Sequence, residues 1–376
     1  MATMSREFYK NVVGKSNSFY FLERDVMGYK CEIYNYKNST YEDFKNNDAF
    51  EMRGLTFVYD GMYWKKYFAL NKFFNINETS TCEYSELKNQ EIMYVQEKLD
   101  GSMISFIKFP NGIVRAKSKM SFESEQAIMA NKCYESSESL KRFVDEAMDR
   151  NLNPIFELTS HLNQIVVKYD ETKLTLLHVR DSLGTYFTSD ELGEIKQEYG
   201  IPVVNVSKYN DLEELINVKN SSTKDIEGYV VTFSSGQMVK IKTNTYIEKH
   251  GIISDIRENE IIRLIIDDKI DDVVSLLTIN SEKRRYVESL ITLICTHYLD
   301  VLEEILTISR MMVGKTRKEM VFLIRDSKWF HIVMKTHGME LSDLDYNVDE
   351  FVKTFIKKST NKLSDAKNYI SELSKS

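Results

Sequence analysis

The chain has 376 residues, of which 42% are hydrophobic and 12% are aromatic, so it is long enough for two globular domains with substantial cores. No apolar run approaches the roughly 20 residues of a membrane-spanning helix, and residues 1–15 lack the apolar centre of a signal peptide, so we expect a cytosolic protein without a membrane partner. The net charge of −7 excludes nucleic-acid binding through overall positive charge, but not through a local basic groove.

The first 245 or so residues predict many short strands separated by turns that contain Gly, Asn and Asp, together with a few helices. The clearest strands are Leu55 to Tyr59, Met103 to Phe109, Gly112 to Ala116 and Leu174 to Val179. Ser121 is the predicted N-cap of a helix through Glu125 to Met129, and Ser139 to Arg150 predicts a second amphipathic helix. The mixture is typical of an α+β domain.

From about Ser254 onward the pattern changes to helical periodicity. It is clearest at Tyr286, Leu290, Leu293, Ile294, Tyr298, Leu302 and Leu306. Further helices are predicted over Lys315 to Met334, Leu344 to Lys357 and Asn361 to Leu373, and no proline follows Pro202. We therefore expect an α+β domain over residues 1–250 and an all-helical domain over residues 251–376.

The stretch Glu97-Lys98-Leu99-Asp100-Gly101-Ser102 follows a strand-like run, Ile92 to Val95. A lysine at a strand end can serve as a covalent nucleophile. Taken alone, however, the six residues are more typical of a solvated hairpin.

Three later stretches change that interpretation. Glu157 interrupts an apolar strand, and Glu227 opens a β-branched and aromatic run beside Gly228. Lys240 and Lys242 share one strand face, about 6 to 7 Å apart, which suits a polyphosphate or a nucleic-acid backbone. Each stretch alone is typical of a solvated strand face. Together with Lys98, four such stretches at element edges indicate a functional site.

With these residues the chain resembles the covalent nucleotidyltransferase superfamily, which comprises ATP-dependent DNA and RNA ligases and GTP-dependent mRNA capping enzymes. Lys98 falls where that family keeps the lysine that becomes adenylylated, in a Lys-x-Asp-Gly pattern. Glu157, Glu227, Lys240 and Lys242 fall on its later motifs. The chain is most similar to the phage RNA ligase 1 type, a tRNA-repair ligase, in Glu51 to Gly54, Lys72 to Asn75, Lys117 to Lys119, Ser124 to Ala127 and Asn163 to Val166. The resemblance is strongest from about Glu51 to Tyr246.

The resemblance implies an antiparallel-sheet, ATP-grasp-like ligase domain that carries out three transfers. Lys98 attacks the α-phosphate of ATP, AMP passes from the lysyl-AMP to an RNA 5′-phosphate, and an RNA 3′-OH then displaces AMP. A free lysine has a pKa of about 10.4, so attack needs loss of a proton. The helical tail favours an RNA ligase, because DNA ligases and capping enzymes carry an OB-fold barrel there. Asp100 and the flanking stretches favour the first RNA ligase type over the nick-sealing second type.

The resemblance also implies roles for the central residues. Glu157 would hold the adenosine ribose or a metal-bound water, and Glu227 would position Mg²⁺, with Mn²⁺ as an alternative. Lys240 would contact the α-phosphate region and Lys242 a neighbouring phosphate.

Other matched positions carry phosphate-binding or metal-binding expectations. Those expected to bind the pyrophosphate leaving group or RNA phosphates are Arg53, Lys72, Lys117 and Lys119. Arg53 can do so with a bidentate fork. Arg115, Lys117 and Lys119 are predicted to alternate along one strand face. Tyr36 matches a tyrosine near the triphosphate, with a packed core tyrosine as the equal alternative. Tyr246 and the pair Asp271-Asp272 match positions that bear on a second metal, although acidic pairs on helices are usually solvated.

Two positions depart from the family pattern. Leu99 stands where close relatives often carry an acid, which is harmless if the position points away from Lys98. Gln164 replaces an expected arginine, which puts one RNA or nucleotide contact in doubt.

The expected partner is single-stranded RNA or a tRNA cleaved in its anticodon loop, healed first by a polynucleotide kinase/phosphatase. We expect a monomer in the cytoplasm, that of the host if the protein is phage-encoded. The helical tail would recognise the tRNA through Lys283-Arg284-Arg285 and Lys315-Thr316-Arg317-Lys318, unless these are solvated helix faces.

Two other classes of function stay open from sequence. One is another covalent nucleotidyltransferase, either a capping enzyme or a DNA ligase. The other is an inactive RNA-end binding protein, which would not need Lys98. The four scattered cysteines predict free thiols and no zinc module, and the six histidines, including His250, predict structural or surface roles.

Overall fold

The computed structural model describes residues 4–37, 39–160, 167, 169–209, 211–221, 226–243, 257–277 and 282–374. The chain divides into two compact units, Met1–Ile252 and Ile253–Ser376. The predicted domain boundary at residue 250 falls outside the described residues and stays a prediction. Within the described ranges, every helix is too short or too polar to cross a membrane.

The first unit contains three sheets. Their strands are β1 (Phe19–Val26), β2 (Tyr29–Tyr36), β3 (Leu55–Tyr59), β4 (Trp64–Tyr67), β5 (Phe74–Asn75), β6 (Ile92–Lys98), β7 (Ser102–Lys108), β8 (Val114–Lys117), β9 (Asn153–Thr159), β10 (Lys173–Arg180), β11 (Val206–Ser207), β12 (Gly228–Phe233) and β13 (Met238–Lys242). The first sheet has the order β1-β2-β3-β4, the second β10-β9-β7-β8 and the third β11-β6-β12-β13-β5. All neighbouring strands are antiparallel except β13 and β5. The predicted antiparallel α+β fold is therefore confirmed.

The site lies where the second and third sheets meet. Strand β6 ends at Lys98 in the third sheet, and after a short turn the chain continues as β7 in the second sheet. Met103 and Ile155 of the second sheet share one buried apolar cluster with Met238 of the third. This shared core holds the two sheets together beside the β6–β7 turn.

Seven helices complete the first unit among the described residues. They are Arg6–Lys15, Tyr41–Asn47, Tyr84–Leu87, Glu125–Ser136, Glu138–Asp149 and Ser189–Tyr199, with Leu212–Ser221 as a seventh near the end of the unit and a 3₁₀ turn at Ser80–Cys82. The predicted cap Ser121 is wrong, because the side chain of Ser124 accepts the N–H of Ala127 and begins that helix. The predicted helix over Ser139 to Arg150 is found one residue earlier.

The described part of the second unit is helical throughout. Its helices are Glu258–Ile266, Ile270–Leu276, Glu282–Met312, Arg317–Ile324, Phe330–Val333, Leu341–Ser359 and Leu363–Leu373, with a 3₁₀ turn at Met334–Thr336. The single helix predicted over Lys315 to Met334 is wrong. The chain turns after Ile324, which brings Trp329 into the core of the unit against Phe355. The predicted helical second domain is otherwise confirmed.

Candidate active site

Lys98 and Lys242 lie on two strands that flank the same central strand. Strand β12 pairs with β6 on one side and with β13 on the other, and Gly228 is in register with both Lys98 and Lys242. A Cβ atom at Gly228 would lie 2.1 Å from the carbonyl oxygen of Ile241, so only glycine fits there. Glu227, the residue before Gly228, is thereby placed between the two lysines.

Glu227 makes an ion pair with each lysine. Its Oε2 lies 2.5 Å from Lys98 Nζ, and its Oε1 lies 2.8 Å from Lys242 Nζ. Burial opposes ionisation of Glu227, but the two ammonium groups outweigh it and hold the pKa of this carboxyl below its usual value. Both carboxylate oxygens are therefore engaged, and Lys98 is fixed at the strand end.

Lys240 lies one pleat along β13 from Lys242, while the alternating residues Val239 and Ile241 are fully buried. This alternation confirms the predicted strand face. The ammonium of Lys240 lies 5.4 Å from the ring centre of Phe73, which is within the range of a cation–π contact.

Glu157 approaches the same place from the second sheet. It is in register with Met103 on β7, and the backbone of its neighbour Leu158 packs so closely on Gly101 that a Cβ atom there would lie 2.3 Å from the Leu158 oxygen. Burial raises the pKa of Glu157 to about 7, although the positive charge of Lys98 partly opposes this. Among the described residues its carboxylate has neither a hydrogen-bond nor an ion-pair partner.

Arg53 lies in the turn before β3 and directs its guanidinium to the same region. Its Nη1 is 3.3 Å from the sulfur of Met103, a weak acceptor, and its charge acts on Glu157. Within the described ranges no carboxylate pairs with this guanidinium. Arg53 therefore offers most of its planar donor fork to a ligand.

Tyr36 is a packed core tyrosine, and its place near the triphosphate stays a prediction. It is buried, 8% exposed, and packs edge-to-face on Phe44. Two of the predicted phosphate-binding lysines also face its ring, because Lys72 Nζ and Lys119 Nζ lie 5.2 Å and 4.7 Å from the ring centre. The structure thus brings Tyr36, Lys72 and Lys119 together.

Lys117 is not placed as predicted. Strand β8 ends at Lys117, so Arg115, Lys117 and Lys119 do not alternate along one strand face. The Lys117 side chain is fully buried and donates to backbone carbonyl oxygens. Contact of this ammonium with pyrophosphate or RNA phosphates does not fit its burial.

Two groups at the β6–β7 turn were not assigned roles from the sequence. The Asp100 carboxylate is buried and accepts the N–H of Val167 at 2.8 Å, and its backbone N–H donates to the hydroxyl of Tyr169 at 3.0 Å. These bonds hold the turn that positions Lys98. The Lys-x-Asp-Gly pattern points to Asp100, but no local pattern points to Tyr169.

The predicted second-metal residues lie elsewhere in the chain. Asp271 and Asp272 belong to helix Ile270–Leu276 in the second unit, whereas Glu157 and Glu227 belong to the first. Tyr246, His250 and the stretch 163–166, which includes Gln164, lie outside the described residues.

No group of three His, Cys, Asp or Glu side chains among the described residues is arranged as a metal cage. Mg²⁺ needs no such cage, because it usually keeps several waters and binds one or two carboxylates together with substrate phosphates. Glu157, an unpaired carboxylate beside Lys98, fits this kind of site. Glu227 fits such a site only if Lys98 or Lys242 releases one of the carboxylate oxygens of Glu227.

Comparisons with known proteins agree with this arrangement. A candidate RNA ligase from Thermovibrio ammonificans is 28% identical over 239 residues, which is 61% of each chain. A candidate bifunctional polynucleotide kinase/RNA ligase from Autographa californica nuclear polyhedrosis virus is 23% identical over 307 residues, which is 76% of this chain and 42% of that protein. The match thus spans less than two thirds of either relative.

A solved archaeal ATP-dependent RNA ligase has the same overall fold, with a TM-score of 0.51 at 14% identity over 82% of this chain and 80% of its own. The model of the T4 RNA ligase 1 type, described as RNA ligase, matches residues 51–246, which is just over half of the chain. The chain therefore belongs to this RNA ligase family, as the motifs around Lys98 predicted.

Proposed function

We propose that this protein is an ATP-dependent RNA ligase that joins RNA 5′-phosphate and 3′-OH ends. The observation that carries the proposal is the Lys98–Glu227–Lys242 network, which lies within the residues that match the RNA ligase family. A nucleophile held at a strand end between two sheets, with an unpaired carboxylate and an unpaired guanidinium beside it, suits nucleotidyl transfer.

In the first step Lys98 Nζ, after losing a proton, attacks the α-phosphorus of ATP. A P–N bond forms, the bond to the bridging oxygen breaks, and pyrophosphate leaves. In the resting structure Lys98 Nζ is bonded to Glu227 Oε2, so attack on the α-phosphorus requires this contact to loosen. Bound Mg²⁺ would neutralise charge on the phosphates, and Glu157 is the residue we assign to its waters or to the adenosine ribose.

The remaining phosphate contacts fall to the cations around the site. We assign the triphosphate to Arg53, Lys72, Lys119, Lys240 and Lys242, with Tyr36 beneath two of them. In the second step an RNA 5′-phosphate oxygen attacks the AMP phosphorus and Lys98 leaves. In the third step the RNA 3′-OH attacks the activated 5′-phosphorus and AMP leaves.

The proposal is tested by incubating the protein with Mg²⁺ and α-labelled ATP or GTP, and then measuring label that survives denaturation. We expect label from ATP only, reduced at least about 1,000-fold in Lys98→Ala. Lys98→Arg is the matched control for charge, because it can keep the ion pair with Glu227 without being a useful nucleophile, and it should also take no label. Label from GTP would support a capping enzyme, and no label would support an inactive RNA-end binder.

We infer that the partner is single-stranded RNA or a cleaved tRNA, acted on after a polynucleotide kinase/phosphatase. The kinase/ligase name of the viral relative supports this order. The monomeric state and the cytoplasmic location belong to the same proposal. Circle formation by a 5′-phosphorylated single strand tests the RNA steps, because only ligation of its two ends makes the strand resistant to a 3′-exonuclease.

We assign tRNA recognition to the helical unit. The side chains of Lys315, Arg317 and Lys318 are exposed. Arg284, in contrast, is buried and bonded to Glu288, so the cluster Lys283-Arg284-Arg285 cannot bind tRNA with all three side chains. Replacing the three exposed cations by Gln should weaken tRNA ligation about 10-fold while ATP labelling stays unchanged, because each is a phosphate contact. An unchanged ratio of tRNA to oligonucleotide ligation would contradict this assignment.

A further inference from the structure

Lys117 is a buried cation with a complete set of backbone acceptors. Its side chain is 0% exposed, and its Nζ donates to the carbonyl oxygens of Gly54 at 3.3 Å, Ser118 at 2.9 Å and Lys119 at 3.1 Å. An ammonium has three donors, so each of its hydrogens has an acceptor. Because a fully buried ammonium must keep its acceptors, Lys117 fixes the backbone segments that it joins.

One of these segments is the turn that carries Arg53. Gly54 follows Arg53 directly, has a φ of +86°, and lies so close to Lys119 that a Cβ atom would be 2.9 Å from the Lys119 oxygen. The other end of the turn is held by Arg180, whose guanidinium forms two bonds of 2.7 Å and 2.6 Å to the Glu51 carboxylate. Lys117 therefore completes the support on both sides of Arg53.

The second segment carries Lys119. The Lys119 backbone carbonyl accepts from Lys117, while its own ammonium lies over the ring of Tyr36, the ring that Lys72 also faces. One buried ammonium thus links the backbone beside Arg53 to the backbone of Lys119. Both of these side chains are assigned to the phosphates of ATP.

We propose that Lys117 is a positioning residue that sets the spacing between Arg53 and Lys119 for a polyphosphate chain, without touching it. This inference rests on the proposed function, because that function supplies the phosphate ligand. It gives the two lysines of the Lys117-Ser118-Lys119 stretch different roles. Lys117 acts through the backbone, and Lys119 acts through its half-buried ammonium over the Tyr36 ring.

The first experiment compares Lys117→Met with the wild type in single-turnover labelling by ATP. Methionine keeps the length of the side chain but offers no donor. We expect the rate to fall about 10- to 100-fold, because displacement of binding groups by about 1 Å has effects of that size. Lys108→Met is the matched control, since it removes one lysine from the neighbouring strand β7, and it should label at the wild-type rate.

A double-mutant cycle distinguishes positioning from general destabilisation. If Lys117 acts through Lys119, then adding Lys117→Met to Lys119→Ala should lower the labelling rate by no more than about threefold. A structural effect would instead multiply the two losses. Full multiplication in this pair and in the corresponding pair with Arg53→Ala would overturn the inference.

The second variant, Gly54→Ala, disturbs the close approach of Gly54 to the Lys119 carbonyl oxygen while keeping the Lys117 ammonium. It replaces Lys117→Met in these experiments if Lys117→Met does not fold. Binding of inorganic tripolyphosphate gives a readout that needs no lysyl-AMP. It should raise the thermal unfolding midpoint of the wild type, and raise that of a folded variant less. An equal rise in the midpoints of the wild type and the variant, or no rise in the wild type, would contradict the inference. Absence of ATP label in the wild type with a normal tripolyphosphate response would overturn only the proposed function.

Discussion

The charged groups on the two sides of the site differ in how they are paired. On the third sheet, Glu227 is bonded through both oxygens to Lys98 and Lys242. On the side of the second sheet, Glu157 and Arg53 make no ion pair with each other or with any other described residue. One region is thus satisfied without a ligand, while the other keeps a carboxylate and a guanidinium available.

This difference indicates which interactions a ligand must break and which it can make. Buried charges are costly unless they are paired, so the three-residue network holds its own geometry in the resting protein. The unpaired region gains most from a ligand that carries phosphate oxygens for Arg53 and a hydrated cation for Glu157. A magnesium–nucleotide complex supplies both.

Breaking the paired region should have the largest effect. Glu227→Gln keeps the size of the side chain but removes the charge between two ammonium groups. We expect ATP labelling to fall by about 1,000-fold and the free energy of unfolding by about 3 kcal/mol, because two partly or largely buried cations lose their counter-charge. Single-turnover labelling and denaturant unfolding measure the two effects.

The control for Glu227→Gln is Glu97→Gln. Glu97 lies next to Lys98, but its carboxylate accepts from the exposed side chain of Asn205. This variant should keep both wild-type labelling and wild-type stability. Equal losses of labelling and stability in Glu227→Gln and Glu97→Gln would show that the pairing of Glu227 with two lysines does not cause the effect.

The paired region could be predicted from sequence only in part. Alternating burial along β13 follows from the local pattern, so the shared face of Lys240 and Lys242 was evident from Val239 and Ile241. The register that sets Gly228 opposite both Lys98 and Lys242 is different, because it joins strands that are far apart in the chain. No local signal encodes such a register.

Burial of charged side chains was the least predictable property. Lys117 and Lys119 read alike in sequence, yet one is enclosed by backbone carbonyls and the other lies over an aromatic ring. Similarly, the buried fork between Arg180 and Glu51 joins residues 129 positions apart. Such pairs form because a buried charge must find a partner, and the fold determines which partner is within reach.

A smaller effect is expected from changing the unpaired guanidinium. Arg53→Lys keeps the positive charge but loses the planar fork that binds two phosphate oxygens at once. We expect the apparent affinity for ATP to fall about 10-fold, which corresponds to about 1.4 kcal/mol, with little change in the unfolding midpoint. Labelling as a function of ATP concentration measures this change.

The Arg53→Lys result also tests whether Arg53 is truly unpaired in the resting protein. Loss of a hidden ion pair would lower stability as well as affinity. A fall of several degrees in the unfolding midpoint, with ATP affinity retained, would therefore show that Arg53 has an ion-pair partner. The two regions would then no longer differ in how their charges are paired.

The last expected effect is a pH-dependent change in stability at Glu157, which involves no change in ATP labelling. Its pKa is raised to about 7 in the folded protein by burial, above the value of about 4.3 for a free glutamate. The folded state therefore holds the proton more tightly than the unfolded state. The stabilisation by this group is complete below about pH 4.3 and is lost as the pH rises through 7.

Glu157→Gln cannot ionise and should not show this loss. The unfolding midpoint of the variant should exceed that of the wild type at pH 8, by about 2 to 4 °C for each kcal/mol, and the difference should shrink towards pH 5. Thermal unfolding at several pH values without ATP or Mg²⁺ measures it. A difference that stays constant with pH would mean that Glu157 ionises as freely as an exposed carboxylate, and would contradict the raised pKa of this half-buried, unpaired acid. If the prediction holds, adding Mg²⁺ and ATP should lower the midpoint difference between the variant and the wild type at pH 8. The reason is that the ligand supplies the wild-type carboxylate with the positive charge that the resting protein lacks.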